Sequence, residues 1–121
     1  MIEIIDQLVQ IAKEVFGKAY RSYPMKTLRG QTYAVVTPMG RFVLNTDENH
    51  EEINVMLSYG ITMYAESPEK LDDLFQLFSE KLIKLGIQSS GYSPTYQIEN
   101  NWYSANATYQ ATVDKRGLAY R

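Results

Sequence analysis

Residues 53–86 read INVMLSYGITMYAESPEKLDDLFQLFSEKLIKLG. Val55, Leu57, Tyr59, Ile61 and Met63 alternate with Asn54, Met56, Ser58, Gly60, Thr62 and Tyr64, the period-2 pattern of a strand with one face in a core. Ser67 then offers an N-cap oxygen, Pro68 a preset first helical φ, and Glu69 a negative charge near the positive end of the helix dipole. Leu71, Leu74, Phe75, Phe78, Leu82 and Leu85 follow at helical spacing, and Gly86 is placed to close the helix in a left-handed turn. A strand and a helix with one apolar face each bury those faces against one another.

Upstream, residues 2–16 predict a first helix. Ile4, Leu8, Ile11 and Val15 form one stripe, and Ile5, Val9, Ala12 and Phe16 lie beside it. Residues 18–31 predict a connector. A short strand over 33–37, a turn at Pro38-Met39-Gly40 and a returning strand over 41–45 predict a hairpin. Downstream, residues 87–91 predict a loop or short extension. Residues 92–99 form a candidate strand that Pro94 confines to an edge or a bend. Residues 102–114 predict a last strand, with Tyr103, Ala105, Ala107, Tyr109, Ala111 and Val113 on the buried face. Trp102, Ser104, Asn106, Thr108, Gln110 and Thr112 fall on a mostly polar, wet face. The expected fold is a single α+β domain over residues 1–121, of order α-β-β-β-α-β-β, with a mostly antiparallel sheet and its helices packed on one face.

Composition removes several functions. With no cysteine the chain has no disulfide framework, thiol nucleophile or Cys-ligated metal site. A net charge of −2 gives no global attraction to nucleic acid or membrane. The first residues carry Glu3 and Asp6 without a basic leader, and no apolar run nears a membrane span; the expectation is a soluble intracellular protein.

The chemical motifs fail on specific residues. As a calcium loop from Asp47, the acidic segment has Glu52 where glycine is needed and Ser58 where a bidentate glutamate is needed. His50-Glu51 begins a zinc-protease pattern whose second histidine would be Asn54. Residues 86–91 have phosphate-loop glycine spacing but are followed by Tyr92-Ser93 instead of Lys-Ser/Thr. Gly91-Tyr92-Ser93-Pro94-Thr95 lacks the second glycine of a nucleophile elbow. No catalytic residue, cofactor site or metal site is assigned, and the expectation is a protein that is not an enzyme. Ten tyrosines are open to two readings, as interface residues or as ordinary occupants of half-buried strands.

The element order resembles that of the tail-terminator, or tail-completion, proteins of long-tailed bacteriophages, which act in head–tail joining. The likeness lies in the long strand leading into the Ser-Pro-capped helix (53–85) and in the closing run YQATVDKRGLAY (109–120), and by layout it covers nearly the whole chain. The resemblance implies a structural virion or prophage protein. A homo-oligomeric ring, usually a hexamer, would cap the tail tube, stop its polymerisation and offer a surface to head-connector proteins. It implies no cofactor, no membrane and no sequence-specific nucleic acid, with a place in the virion tail and in the bacterial cytoplasm during assembly. The alternative is a small ferredoxin-like module that binds a ligand or peptide. For the ring, the expected subunit contact sets a basic, aromatic connector (Lys18, Tyr20, Arg21, Tyr23, Lys26 and Arg29) against the acidic segment (Asp47, Glu48, Glu51 and Glu52) of the next copy. Joining two different surfaces closes a ring when the rotation closes.

Overall fold

The computed structural model describes the backbone of residues 4–21, 28, 30–46, 52–114 and 119–120. It describes the side chains of the same residues except 41–46, 52–54, 113, 114, 119 and 120. The helices are α1 (Ile4–Phe16) and α2 (Pro68–Ile83). The strands are β1 (Ala19–Tyr20), β2 (Tyr33–Thr46), β3 (Glu52–Ala65), β4 (Ile87–Tyr92), β5 (Tyr96–Glu99), β6 (Trp102–Asp114) and β7 (Ala119–Tyr120). They form one sheet of order β1-β2-β3-β6-β4, with β5 and β7 also pairing with β6. Only β1–β2 is parallel. The chain is thus a single α+β domain with a mostly antiparallel mixed sheet.

Alternation decides which face is covered. Val55, Tyr59, Ile61 and Met63 of β3 and Ala105, Ala107, Tyr109 and Ala111 of β6 are buried beneath the helices. From above, α1 contributes Ile4, Ile5, Leu8, Ala12 and Phe16, and α2 contributes Leu71, Phe78 and Leu82. The small alanines of β6 let α2 approach, and aromatic rings fill the remaining space. Phe78 packs edge-on to Phe16 at 5.8 Å and to Tyr109 at 5.5 Å, and Phe75 stacks on Tyr92 at 4.1 Å. Leu85, expected on the buried stripe, is exposed because α2 ends at Ile83 and Gly86 turns the chain away at φ +80°.

The helix start matches its signals. Ser67 adopts an extended φ of −148°, its side chain accepts a hydrogen bond from Lys70 N at 3.2 Å, and Pro68 follows at the first helical position. Ser67→Ala is expected to cost about 1 kcal/mol of stability, read as a shift in urea midpoint.

Three expectations are corrected. First, there is no hairpin within 33–45: β2 runs unbroken along β3, with Pro38 opposite Tyr59, Gly40 opposite Ser58, and Met39 as the extra residue of a bulge. Proline is tolerated there for a directional reason. Ala34 N donates outward, to Lys18 O beside β1, and alternation aims the backbone of residues 36 and 38 the same way. Pro38 therefore removes a donor from the sheet's outer edge and none from the β2–β3 ladder. The Met39 side chain crosses over Gly60, where an added Cβ would lie 2.9 Å from its Sδ. Second, residues 87–92 form strand β4 on β6. Pro94 interrupts that edge, and Ser93 bridges the gap: its N donates to Asn106 O at 2.7 Å, and its Oγ accepts from Asn106 N at 2.8 Å. Third, the connector contains β1 and the tail contains β7.

The face away from the helices is mostly polar, as expected of it. Thr62 donates to Asn106 at 2.9 Å across β3–β6, and Ser90 pairs with Thr108 at 2.9 Å across β4–β6. One end of that face is not wet. Tyr33 stacks on Tyr64 at 4.4 Å and Tyr64 on Trp102 at 5.5 Å, and Trp102 Nε1 donates to Gln31 O at 3.2 Å. Ser104, in register with Tyr64 and Tyr96, is fully buried there, and its hydroxyl finds no hydrogen-bond partner among the described residues. An unsatisfied buried hydroxyl costs free energy. Ser104→Ala is therefore expected to raise stability by about 1 kcal/mol in thermal melts.

Candidate functional site

The residues expected at a subunit contact are placed as follows. Tyr23, Lys26, Arg29, Asp47, Glu48 and Glu51 lie outside the described residues, and Glu52 opens β3 with its side chain undescribed. Three described members of the connector engage their own chain. Arg21 pairs with Asp6 at 3.2 Å, Lys18 donates to Gln31, and Tyr20 packs edge-on to Tyr33 at 6.1 Å. The described residues flanking the basic and acidic segments stand at opposite ends of one strand. Gln31 and Thr32 precede β2, and Thr46 closes it. Along the strand those ends are about 40 Å apart.

The tyrosines divide between their two readings. Tyr33, Tyr59 and Tyr109 are buried, and Tyr20, Tyr64 and Tyr103 are half-buried, as strand residues commonly are. Tyr92 and Tyr96 are 37% and 52% exposed. They belong to a feature that the sequence pattern did not single out, the edge formed by β4 and β5. On the helix side of that edge Tyr92 donates to Asp72 at 2.7 Å and stacks on Phe75. Burial, then the Asp72 carboxylate, pushes the Tyr92 phenol above its ordinary pKa. Ile83, 59% exposed, shares the Asp72–Gln76–Ser79 side of α2 by helical spacing. On the other side of the edge lies Tyr96, in register with Ser104, and Ile98, at the irregularity in β5, is also exposed. Apolar side chains thus flank both faces of an edge whose only formal charge between 87 and 99 is Glu99. The signal available in the sequence was the uncharged run IQSSGY beside a helix whose polar side ends in isoleucine.

The opposite lateral surface is the outer edge of β2. β1 covers it at Ala34 and Val35, and no described strand covers it beyond. A shallow, largely apolar hollow of about 330 Å³ lies inward of that edge over β2 and β3, lined by Pro38, Gly40, Leu57, Ser58 and Tyr59. Among the described residues no three His, Asp or Glu side chains gather into a metal-binding group, and no helix is long and apolar enough to cross a membrane.

No protein-family model matches the chain, and no curated protein matches it. One solved structure, which bears no functional name, is 6% identical over 98% of this chain and 97% of its own, with a TM-score of 0.47. A likeness of that size carries no argument about function.

Proposed function

We propose that the chain is a structural assembly protein of a bacteriophage or prophage tail, working as a ring of copies that caps the tail tube and joins it to the head. The observation that carries this reading is the set of exposed apolar side chains (Ile83, Tyr92, Tyr96 and Ile98) about the β4–β5 edge. Exposed apolar and aromatic side chains gathered about one edge are a surface by which proteins meet. The likeness in layout to tail-terminator proteins supplies the kind of contact, and the role is non-enzymatic. Electron microscopy of the purified protein mixed with tail tubes is the test. The expected image is a ring at one tube end, with tubes that no longer lengthen; bare, growing tubes beside a monomeric protein would sink the reading. The hollow at Pro38 is the observation that favours the alternative, a ferredoxin-like ligand- or peptide-binding module, since its volume lies near the lower end of small-molecule sites, about 300–1,000 Å³. A rigid monomer whose Pro38 hollow takes up a small molecule would support that alternative.

A further inference from the structure

We infer that the β4–β5 edge of one copy docks side by side on the β2 edge of a second copy, with Ile83 seated in the hollow at Pro38, Leu57 and Tyr59. This inference rests on the self-assembly reading above and specifies the surfaces that carry it.

The two features stand at the same height along the strands. Ile87 pairs with Ala111, Ala111 with Leu57, and Leu57 with Arg41, so one rung of the sheet links the start of β4 to the hollow's level on β2. Ile83 ends α2 one short turn before Ile87. Both features also lie on the helix side of the sheet: Leu57 and Tyr59 share the face of Ile61 and Met63, and Pro38 shares that of Ala34 and Val36. A knob and a hollow on opposite sides of the molecule, at one height along the strands and on one face of the sheet, join copies without axial displacement. A head-to-tail contact of that kind closes into a ring when its rotation closes, instead of climbing as a helix.

Side chains make this junction, and the sheet does not continue through it. Pro38 removes an outward donor from β2, the Met39 bulge disturbs the ladder, and β1 already fills the adjoining lane beside Ala34 and Val35. A strand added there as β4 running into β5 would collide with β1. The area is nonetheless adequate. The β4–β5 edge runs from the Ala111 rung to the Trp102 rung, about 30 Å at about 3.3 Å per residue, and at about 20 Å deep through one sheet layer and one helix layer it offers about 600 Å² per copy. The two copies together then bury about 1,200 Å², the lower end of a standard-size interface. Ile83, at the start of that edge, is the exposed apolar anchor that such a contact needs.

The absence of native cysteine makes the test clean. Ile83→Cys and Pro38→Cys proteins are oxidised mildly, separately and mixed, and the double variant is run on a non-reducing gel. The expected result is a disulfide-linked pair only in the mixture and a ladder from the double variant. In sedimentation, Ile83→Glu should raise the half-assembly concentration at least about tenfold while circular dichroism stays native. Self-linking of Ile83→Cys alone would show a two-fold contact and overturn the inference. So would a native oligomer that forms no 83–38 link and ignores Ile83→Glu, an outcome that leaves self-assembly standing. A native chain that stays monomeric and leaves tail tubes bare would overturn both.

Discussion

Phe78→Ala is expected to lower the free energy of unfolding by about 3–5 kcal/mol, a large part of the 5–15 kcal/mol typical of a domain. Phe78 is fully buried, and its ring joins three elements: Phe16 of α1 at 5.8 Å, its own helix α2, and Tyr109 of β6 at 5.5 Å. The residues beside Tyr109 on the same face of β6, Ala107 and Ala111, are too short to fill the space vacated. The cavity would persist, and the lost contacts would add to the lost transfer free energy. Leu77→Ala is the internal control, one residue earlier on the same helix and 43% exposed. It should cost less than about 1 kcal/mol. Urea titrations of the two variants would expose an error in the helix's orientation: equal losses at positions 77 and 78 would mean that α2 does not turn this face to the sheet.

The seam that Phe78 occupies was legible in the sequence because burial there is one-sided. The alternation over residues 55–63, the alternation over 105–111 and the helical spacing of Leu71, Phe78 and Leu82 each follow from contact with a single layer, and among the described side chains Val55, Tyr59, Ile61, Met63, Ala105, Ala107, Tyr109 and Ala111 are buried accordingly. The Ser67 cap and the positive φ of Gly86 were legible for local steric reasons. The middle of β2 was not. Pro38-Met39-Gly40 carries every residue preference of a turn, yet the length of β3 demands a partner along its whole run, and a bulge with an outward-facing proline satisfies both the proline and the ladder. β4 was hidden in the same way. IQSSGY is polar because it is an edge strand exposed everywhere except at Ile87, so no alternation announces it. The lateral surfaces were illegible for a further reason. Ile83 and Leu57 are 26 positions apart in the chain, and only the pairing of Ile87 with Ala111 and Ala111 with Leu57 brings them to one height on opposite sides.

The same seam predicts a loss of stability in alkali. Tyr109 is buried beneath α2, and removal of its phenol from water pushes its pKa from 10.0 up to about 12, with the nearby Ser79 hydroxyl, 2.7 Å away, opposing part of that rise. A phenol that ionises at pH 10 in the unfolded chain and near 12 in the folded one favours the unfolded state between those values. Its contribution is fully present below pH 10 and disappears as pH climbs through about 12. The linkage amounts to about 2–3 kcal/mol at the upper end of that window. Tyr92, raised in the same direction by burial and Asp72, adds to the slope. Subtracting a Tyr109→Phe variant isolates Tyr109. At neutral pH the variant should be less stable by about 1 kcal/mol, the worth of the hydrogen bond to Ser79. As pH passes 10 its stability should fall less steeply than that of the native chain, and by pH 12 the order should reverse. Urea midpoints at a series of pH values read this directly. Parallel curves would mean that the phenol ionises as freely folded as unfolded, which requires water in the α2–β6 seam and contradicts the packing on which the Phe78 result depends.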